Sequence, residues 1–155
     1  MNSDFLRGVN IVSRGNLSVV AAGETFNTYY LDTADIVGPV VFRAESSAAN
    51  ADLSFEFRLE DATALPANST AAGTGNAVVS RDDILGGDGS GAAADGGIDI
   101  ARGSRIDHAL AYNGNKRYVR AVLVVANAGA STQNVAVSVT GISQPQVVPQ
   151  SRIGN

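Results

Sequence analysis

The residues that could do chemistry are few, and their spacing limits what they could do. His108 follows Asp107 and is the one histidine in the chain. A nucleophilic triad would need a serine brought to it by folding, and no G-x-S-x-G elbow is present. On a strand, adjacent residues point to opposite faces, so Asp107 cannot orient His108. A core or rim histidine is expected. Glu56 and Glu60 share one face of an alternating segment, as a pair of glycosidase acids could. Arg58 stands between them, and a salt-bridged surface ladder is the plainer expectation.

Asp82, Asp83, Asp88, Asp95 and Asp99 cluster around a glycine-rich stretch. Calcium favours several oxygen ligands on a flexible loop. The spacing matches neither an EF-hand loop nor the G-G-x-G-x-D repeat, because Gly91 stands where the repeat needs Asp. The stretch Gly87-Asp-Gly-Ser-Gly91-Ala92 loosely matches G-x-G-x-x-A. A dinucleotide fingerprint needs a strand before it and a helix after it, and Asp88 would repel phosphate. Solvated loop acids and no bound cofactor are expected. Asn16-Leu-Ser18 and Asn68-Ser-Thr70 are sequons that matter only in a secreted eukaryotic protein.

Composition narrows the classes further. The chain has 155 residues, no Cys, no Trp and one His. Thiolate metal sites, disulfide scaffolds, thiol enzymes and sites with two imidazoles are excluded. Acidic balance (11 − 15 = −4) argues against a basic groove for nucleic acid. No apolar run approaches the roughly 18 residues of a membrane-spanning helix. The opening MNSDFLRGVNIVSRG has no basic stretch followed by an apolar core, so no secretory signal is expected. Charged residues are 17%, below the roughly 25% of an average soluble protein, which fits a surface meant for neighbours.

The charge is uneven. All fifteen acids and seven Arg lie in residues 1–107, giving 7 − 15 = −8; Lys116, Arg117, Arg120 and Arg152 follow, giving +4. Either the C-terminal third meets an acidic neighbour, or strands from both parts mix in a sheet and the asymmetry vanishes in space.

The elements that must position these residues are strands. Leu53-Ser-Phe-Glu-Phe-Arg-Leu-Glu60 alternates without a break, and Asn134–Gly141 places Val135, Val137 and Val139 on one face. Tyr118–Ala126 is apolar on both faces after Arg120, the pattern of a central strand between two layers. Weaker strand signals cover Asn16–Ala22, Thr25–Leu31, Pro39–Glu45, Asn76–Ser80 and Arg105–Tyr112. Asn113-Gly114 predicts a hairpin into the Tyr118 strand, and Asn127–Gln133 predicts the next hairpin. Ser80–Leu85 could form one capped helical turn. About eight short strands predict an all-β fold, an antiparallel β-sandwich of jelly-roll type, with an immunoglobulin-like sandwich as the alternative. The sandwich is expected over 9–142. Residues 1–8 form an N-terminal arm, and residues 143–155, with two prolines, form an extended C-terminal arm. Residues 61–75 and 86–97 are expected as loops.

The stretch Asn113-Gly-Asn-Lys-Arg-Tyr-Val-Arg-Ala-Val-Leu-Val-Val125 is the most distinctive in the chain. With the Val-rich segment ending in Val-Thr-Gly141 and the proline-containing tail, it resembles small structural proteins of tailed-bacteriophage heads. More narrowly, it resembles their jelly-roll cement (decoration) proteins. The likeness covers about residues 105–150. It implies a non-enzymatic virion protein on the outer surface of the capsid, assembled in the host cytoplasm, that binds major capsid protein as a homodimer or homotrimer. Lys116, Arg117, Tyr118, Arg120 and Arg152 are the interface candidates, since Arg and Tyr are enriched at interface hot spots. The competing readings are a carbohydrate-binding β-sandwich of a tail or adhesin, stacking sugars on tyrosines, and a β-fold enzyme, for which one His is too few for a cupin site.

Overall fold

The computed structural model describes residues 9–19, 23–34, 36, 38–68, 71–87 and 96–142, and of 9–19 the backbone alone. The expected arms at 1–8 and 143–155, with Arg152, lie outside the described residues, as do Asp88 and Asp95.

Leucine, valine and phenylalanine at every second position make extended segments with one apolar face, and these associate as strands. The strands are β1 (Val9–Val19), β2 (Glu24–Asn27), β3 (Leu31–Asp32), β4 (Val40–Ser46), β5 (Leu53–Ala62), β6 (Ala77–Val78), β7 (Ile84–Leu85), β8 (Ile98–Ile100), β9 (Asp107–Tyr112), β10 (Tyr118–Asn127) and β11 (Gln133–Ile142). They form two antiparallel sheets facing each other as a sandwich. One has five strands in the order β1-β11-β4-β9-β7. The other has six, in the order β2-β10-β5-β6, with β3 also beside β10 and β8 also beside β5. Among the described residues no helix is long and apolar enough to cross a membrane.

The pairing is nested. β1 pairs with β11, β2 and β3 with β10, β4 with β9, and β5 with β6 and β8. The chain therefore reads as one long hairpin rolled up, with successive pairs falling in alternate sheets. β2 and β3 form one interrupted lane, and β6 and β8 another. That reduces the strands to the expected eight lanes plus the short β7.

Alternation places Leu53, Phe55, Phe57 and Leu59 of β5 inward, and in the register Phe55, Phe57 and Leu59 lie opposite Val125, Leu123 and Ala121 of β10. Phe42 and Ala44 of β4, Leu110 of β9, and Val135, Val137 and Val139 of β11 close the core from the other sheet. Burying a Val, Leu or Phe side chain contributes roughly 1.5–3 kcal/mol.

Both expected hairpins are absent. Residues 113–117 carry the chain from β9 in one sheet to β10 in the other, and residues 128–132 carry it back from β10 to β11. The edges of β9 are occupied by β4 and β7, and those of β10 by β5 and by β2 with β3. Gly114 is not among the glycines with positive φ, which the expected two-residue turn requires. Its role is close approach: a Cβ there would lie 2.5 Å from the Tyr112 ring. At 80–85 the structure has a 3₁₀ turn, Arg81–Asp83, capped by Ser80, after which Ile84–Leu85 pairs as β7.

Candidate functional site

The basic–aromatic segment begins at the crossing from β9 to β10 and runs into β10. Each of its described cations has a carboxylate partner within the chain. Lys116 Nζ donates to Asp61 Oδ1 at 2.7 Å and to the Gly75 carbonyl at 3.1 Å. The Tyr112 hydroxyl donates to Asp61 Oδ2 at 3.0 Å and accepts from the Lys116 N–H at 3.0 Å. Asp61 sits at the buried end of β5, so this cluster pins the crossing segment to the second sheet. Burial holds the Tyr112 hydroxyl well above its ordinary pKa, and the neighbouring Asp61 carboxylate adds to the shift.

Arg117 grips Asp32 through Nε and Nη2, with Nη2 at 2.8 Å from Oδ2. Its guanidinium stands 5.2 Å over the Tyr118 ring. The hydrogen bond from Arg117 lowers the Asp32 pKa, opposed by partial burial and helped by the Ala34 N–H. Arg120 lies opposite Glu60 in the strand register. Its Nε and Nη2 donate to Glu60 Oε2 at 3.0 and 2.7 Å, and Nη1 donates to the Ala71 carbonyl at 3.2 Å. The Tyr30 ring covers the guanidinium at 4.7 Å. Tyr30 donates to Asn76 Oδ1 and accepts from the Gly73 N–H, and Asn76 reaches Glu60 Oε2 at 3.4 Å. Residues 71–76 are thereby held over the outer face of the six-stranded sheet.

This geometry resolves the charge asymmetry. Lys116, Arg117 and Arg120 meet Asp61, Asp32 and Glu60, all from the acidic part of the chain. The opposite ends of the charge distribution mix in space. Arg120 is enclosed and is removed as a contact residue; Arg117 is exposed on the surface.

The other chemical candidates are dispersed. His108 is half-buried and shares the face of Ala44, its register partner, while Asp107 turns outward to Arg43. Arg58 bridges Glu56 and Glu60, the expected ladder, although Glu60 is enclosed rather than solvated. Among the described residues no group of three or more His, Cys, Asp or Glu could hold a metal ion. A groove of about 590 Å³ lies along Phe55, Glu56, Asp99, Ile100, Val124 and Ala126.

One surface feature escaped sequence reasoning. On the outer face of the five-stranded sheet, Leu85, Ala111, Val41 and Ile142 are successive register partners across β7, β9, β4 and β11. Leu85 is 60% exposed and Ile142 45%. The apolar residues at alternate positions of β4 and β9 were visible, but their alignment depends on register. Of the tyrosines expected as sugar platforms, Tyr29, 63% exposed, lies beside Tyr30, Leu65 and Pro66 on a groove of about 250 Å³, whereas Tyr112 is buried.

Comparison of the chain with protein-family models, with curated proteins and with solved structures returns no match.

Proposed function

We propose that the protein is a structural component of a bacteriophage virion. It binds the outside of the capsid as a homo-oligomer, without enzymatic activity, and cements neighbouring major capsid protein subunits. The strand nest, with β1 against β11, β2 and β3 against β10, β4 against β9 and β5 against β6 and β8, we read as a jelly roll. This agrees with the fold that the resemblance of residues 105–150 implies.

The observation that carries the reading is the exposed apolar row Leu85–Ala111–Val41–Ile142. It runs across four strands of a rigid face, and exposed apolar area of this kind marks a protein-contact surface. The basic–aromatic motif acts mainly inward in this reading. It locks the crossing from β9 to β10, so the sheet behind the contact face does not shift. Each contact to the shell is weak, and several made by one oligomer raise avidity.

The test is co-sedimentation of the purified protein with expanded capsid shells assembled without it. Stoichiometric, saturable binding is expected, weakened at least tenfold by Leu85→Asp with the fold unchanged. No association across a range of salt concentrations removes the reading. Tyr29 supports a second reading, a carbohydrate-binding module, because an exposed ring beside an apolar groove can stack a sugar. A glycan array decides that: binding lost in Tyr29→Ala supports it, and a blank array removes it.

A further inference from the structure

Three of the four sheet borders are short. β7 closes one side of the five-stranded sheet with two residues. The six-stranded sheet is bordered by β2 and β3, of four and two residues, and by β6 and β8, of two and three. Short border strands offer little backbone to another chain. β1 is different. It has eleven residues, VNIVSRGNLSV, pairs with β11 on one side, and has no strand on the other side among the described residues. At about 3.3 Å per residue, its open edge is about 35 Å long. It contains no proline and one charge, Arg14.

The protective devices that long edges usually carry are therefore nearly missing. The single irregularity, a register shift between Val9 and Ile11, lies at the start of the strand. The regular part is Ile11–Val19, and its midpoint is Gly15. A strand pairs antiparallel with an identical strand about a twofold axis, and an axis through the midpoint uses the whole regular length.

We propose that the open edge of β1 pairs antiparallel with β1 of a second copy about a twofold axis at Gly15, joining two five-stranded sheets into one of ten strands. Ile11 then meets Val19 of the second copy, Ser13 meets Leu17, Arg14 meets Asn16, and Gly15 meets Gly15. The register one step away, centred on Arg14, would set two guanidinium groups opposite each other, which is unfavourable in a strand pair. The Gly15 register avoids this and keeps apolar residues opposite apolar ones at the ends of the ladder. The proposal deepens the homo-oligomer part of the proposed function and selects a dimer over a trimer.

The chain has no cysteine, which makes the register directly testable. In the Gly15-centred ladder the two copies of residue 15 have Cα atoms about 4.5–5.5 Å apart, within disulfide range. The two copies of residue 13 are about 14 Å apart along the strand. Sedimentation equilibrium of the full chain is expected to give 2 × 15.8 = 31.6 kDa. Under mild oxidation with copper phenanthroline, Gly15→Cys is expected to run as a covalent dimer, while Ser13→Cys and Leu17→Cys singly do not and together do. Asn16→Arg places Arg opposite Arg14 twice, and is expected to weaken dimerisation about tenfold. Asn16→Glu should tighten it. A mass of 15.8 kDa, a trimer, or equal cross-linking at 13 and 15 overturns the proposal. A monomer that still binds shells removes this interface and leaves the capsid reading standing; a dimer that ignores shells does the reverse.

Discussion

On the six-stranded sheet, Arg120 meets Glu60 beneath residues 71–76, with side chains 5% and 9% exposed. On the five-stranded sheet, Arg43 meets Asp107, with side chains 52% and 60% exposed, and reaches Glu45 from the same position. Both are strand-face ion pairs joining carboxylates and guanidinium groups at close to 2.8 Å. Their surroundings differ. The enclosed pair is held in low dielectric by Tyr30, Asn76 and the Ala71 carbonyl, so each charge depends on its partner. The open pair is shared with water and screened by salt. Enclosure also has a cost on that face: Asn27 Oδ1 and Arg58 Nε, flanking Val122 in the register, are buried with no hydrogen-bond partner among the described residues. A strand-face arginine is thus a structural lock on one sheet and a solubilising group on the other. The chemistry is the same, and the covering segment makes the difference.

The largest expected effect breaks the enclosed lock. Glu60→Ala leaves the Arg120 charge buried without its carboxylate and should cost about 3–5 kcal/mol in urea unfolding. For a domain of this size that is a large share of the total stability. Replacing both members, Glu60→Leu with Arg120→Met, should recover most of the loss, because an apolar pair needs no charge compensation. A loss under about 1 kcal/mol in the single variant would abolish the contrast between the two faces.

An intermediate effect is expected at the Tyr112–Asp61–Lys116 cluster. Tyr112→Phe removes the hydroxyl that Asp61 and the Lys116 N–H use, at a cost of about 1–2 kcal/mol. The cluster also sets an alkaline limit. The Tyr112 pKa is raised by folding, so its contribution is fully present below the unfolded value of 10.0. Above that pH the unfolded chain ionises while the folded hydroxyl stays neutral, and stability falls as pH rises. Denaturation midpoints measured from pH 8 upward should decline less steeply in Tyr112→Phe than in the parent chain. Asp32, with a pKa lowered by Arg117, acts at the other end: its contribution is present above the unfolded carboxylate range and is lost as pH falls through the lower folded value.

The smallest effect is expected on the open face. Arg43→Ala should leave the urea-unfolding midpoint almost unchanged, and any difference should shrink further in high salt. A large loss at Arg43 would mean that something covers this face as residues 71–76 cover the other.

Much of the fold was legible from short-range pattern. The alternation of Leu53, Phe55, Phe57 and Leu59 and of Val135, Val137 and Val139 predicts strands with one buried face, and they are found so. The two-sided apolar run after Arg120 predicts a central strand between two layers; β10 is central within its own sheet, between β5 and the β2–β3 lane, and the second sheet packs on one of its faces. The pairings were less legible. Asn113-Gly114 is compatible with a hairpin or with a crossing between sheets, and partners distant in sequence decide between them. Of the interface candidates, the sequence identified residues that matter but not which way they turn: Arg120 and Glu60 are 60 positions apart, and no local pattern pairs them. Isoleucines 98 and 100 flank Asp99 in β8, a run too short to stand out from the glycine-rich stretch before it.

By itself, then, the sequence determined the secondary structure class, the inward residues of each long strand, and the exclusion of thiol and multi-histidine chemistry, because period and residue type are local properties. The tertiary structure decided which carboxylate meets which cation, which arginine is enclosed, which apolar residues align into a row, and which border strand is left open. Those outcomes depend on register and on which sheet a strand joins. Both follow from the packing of distant segments against one core, and a shift of one residue would turn each side chain to the opposite face.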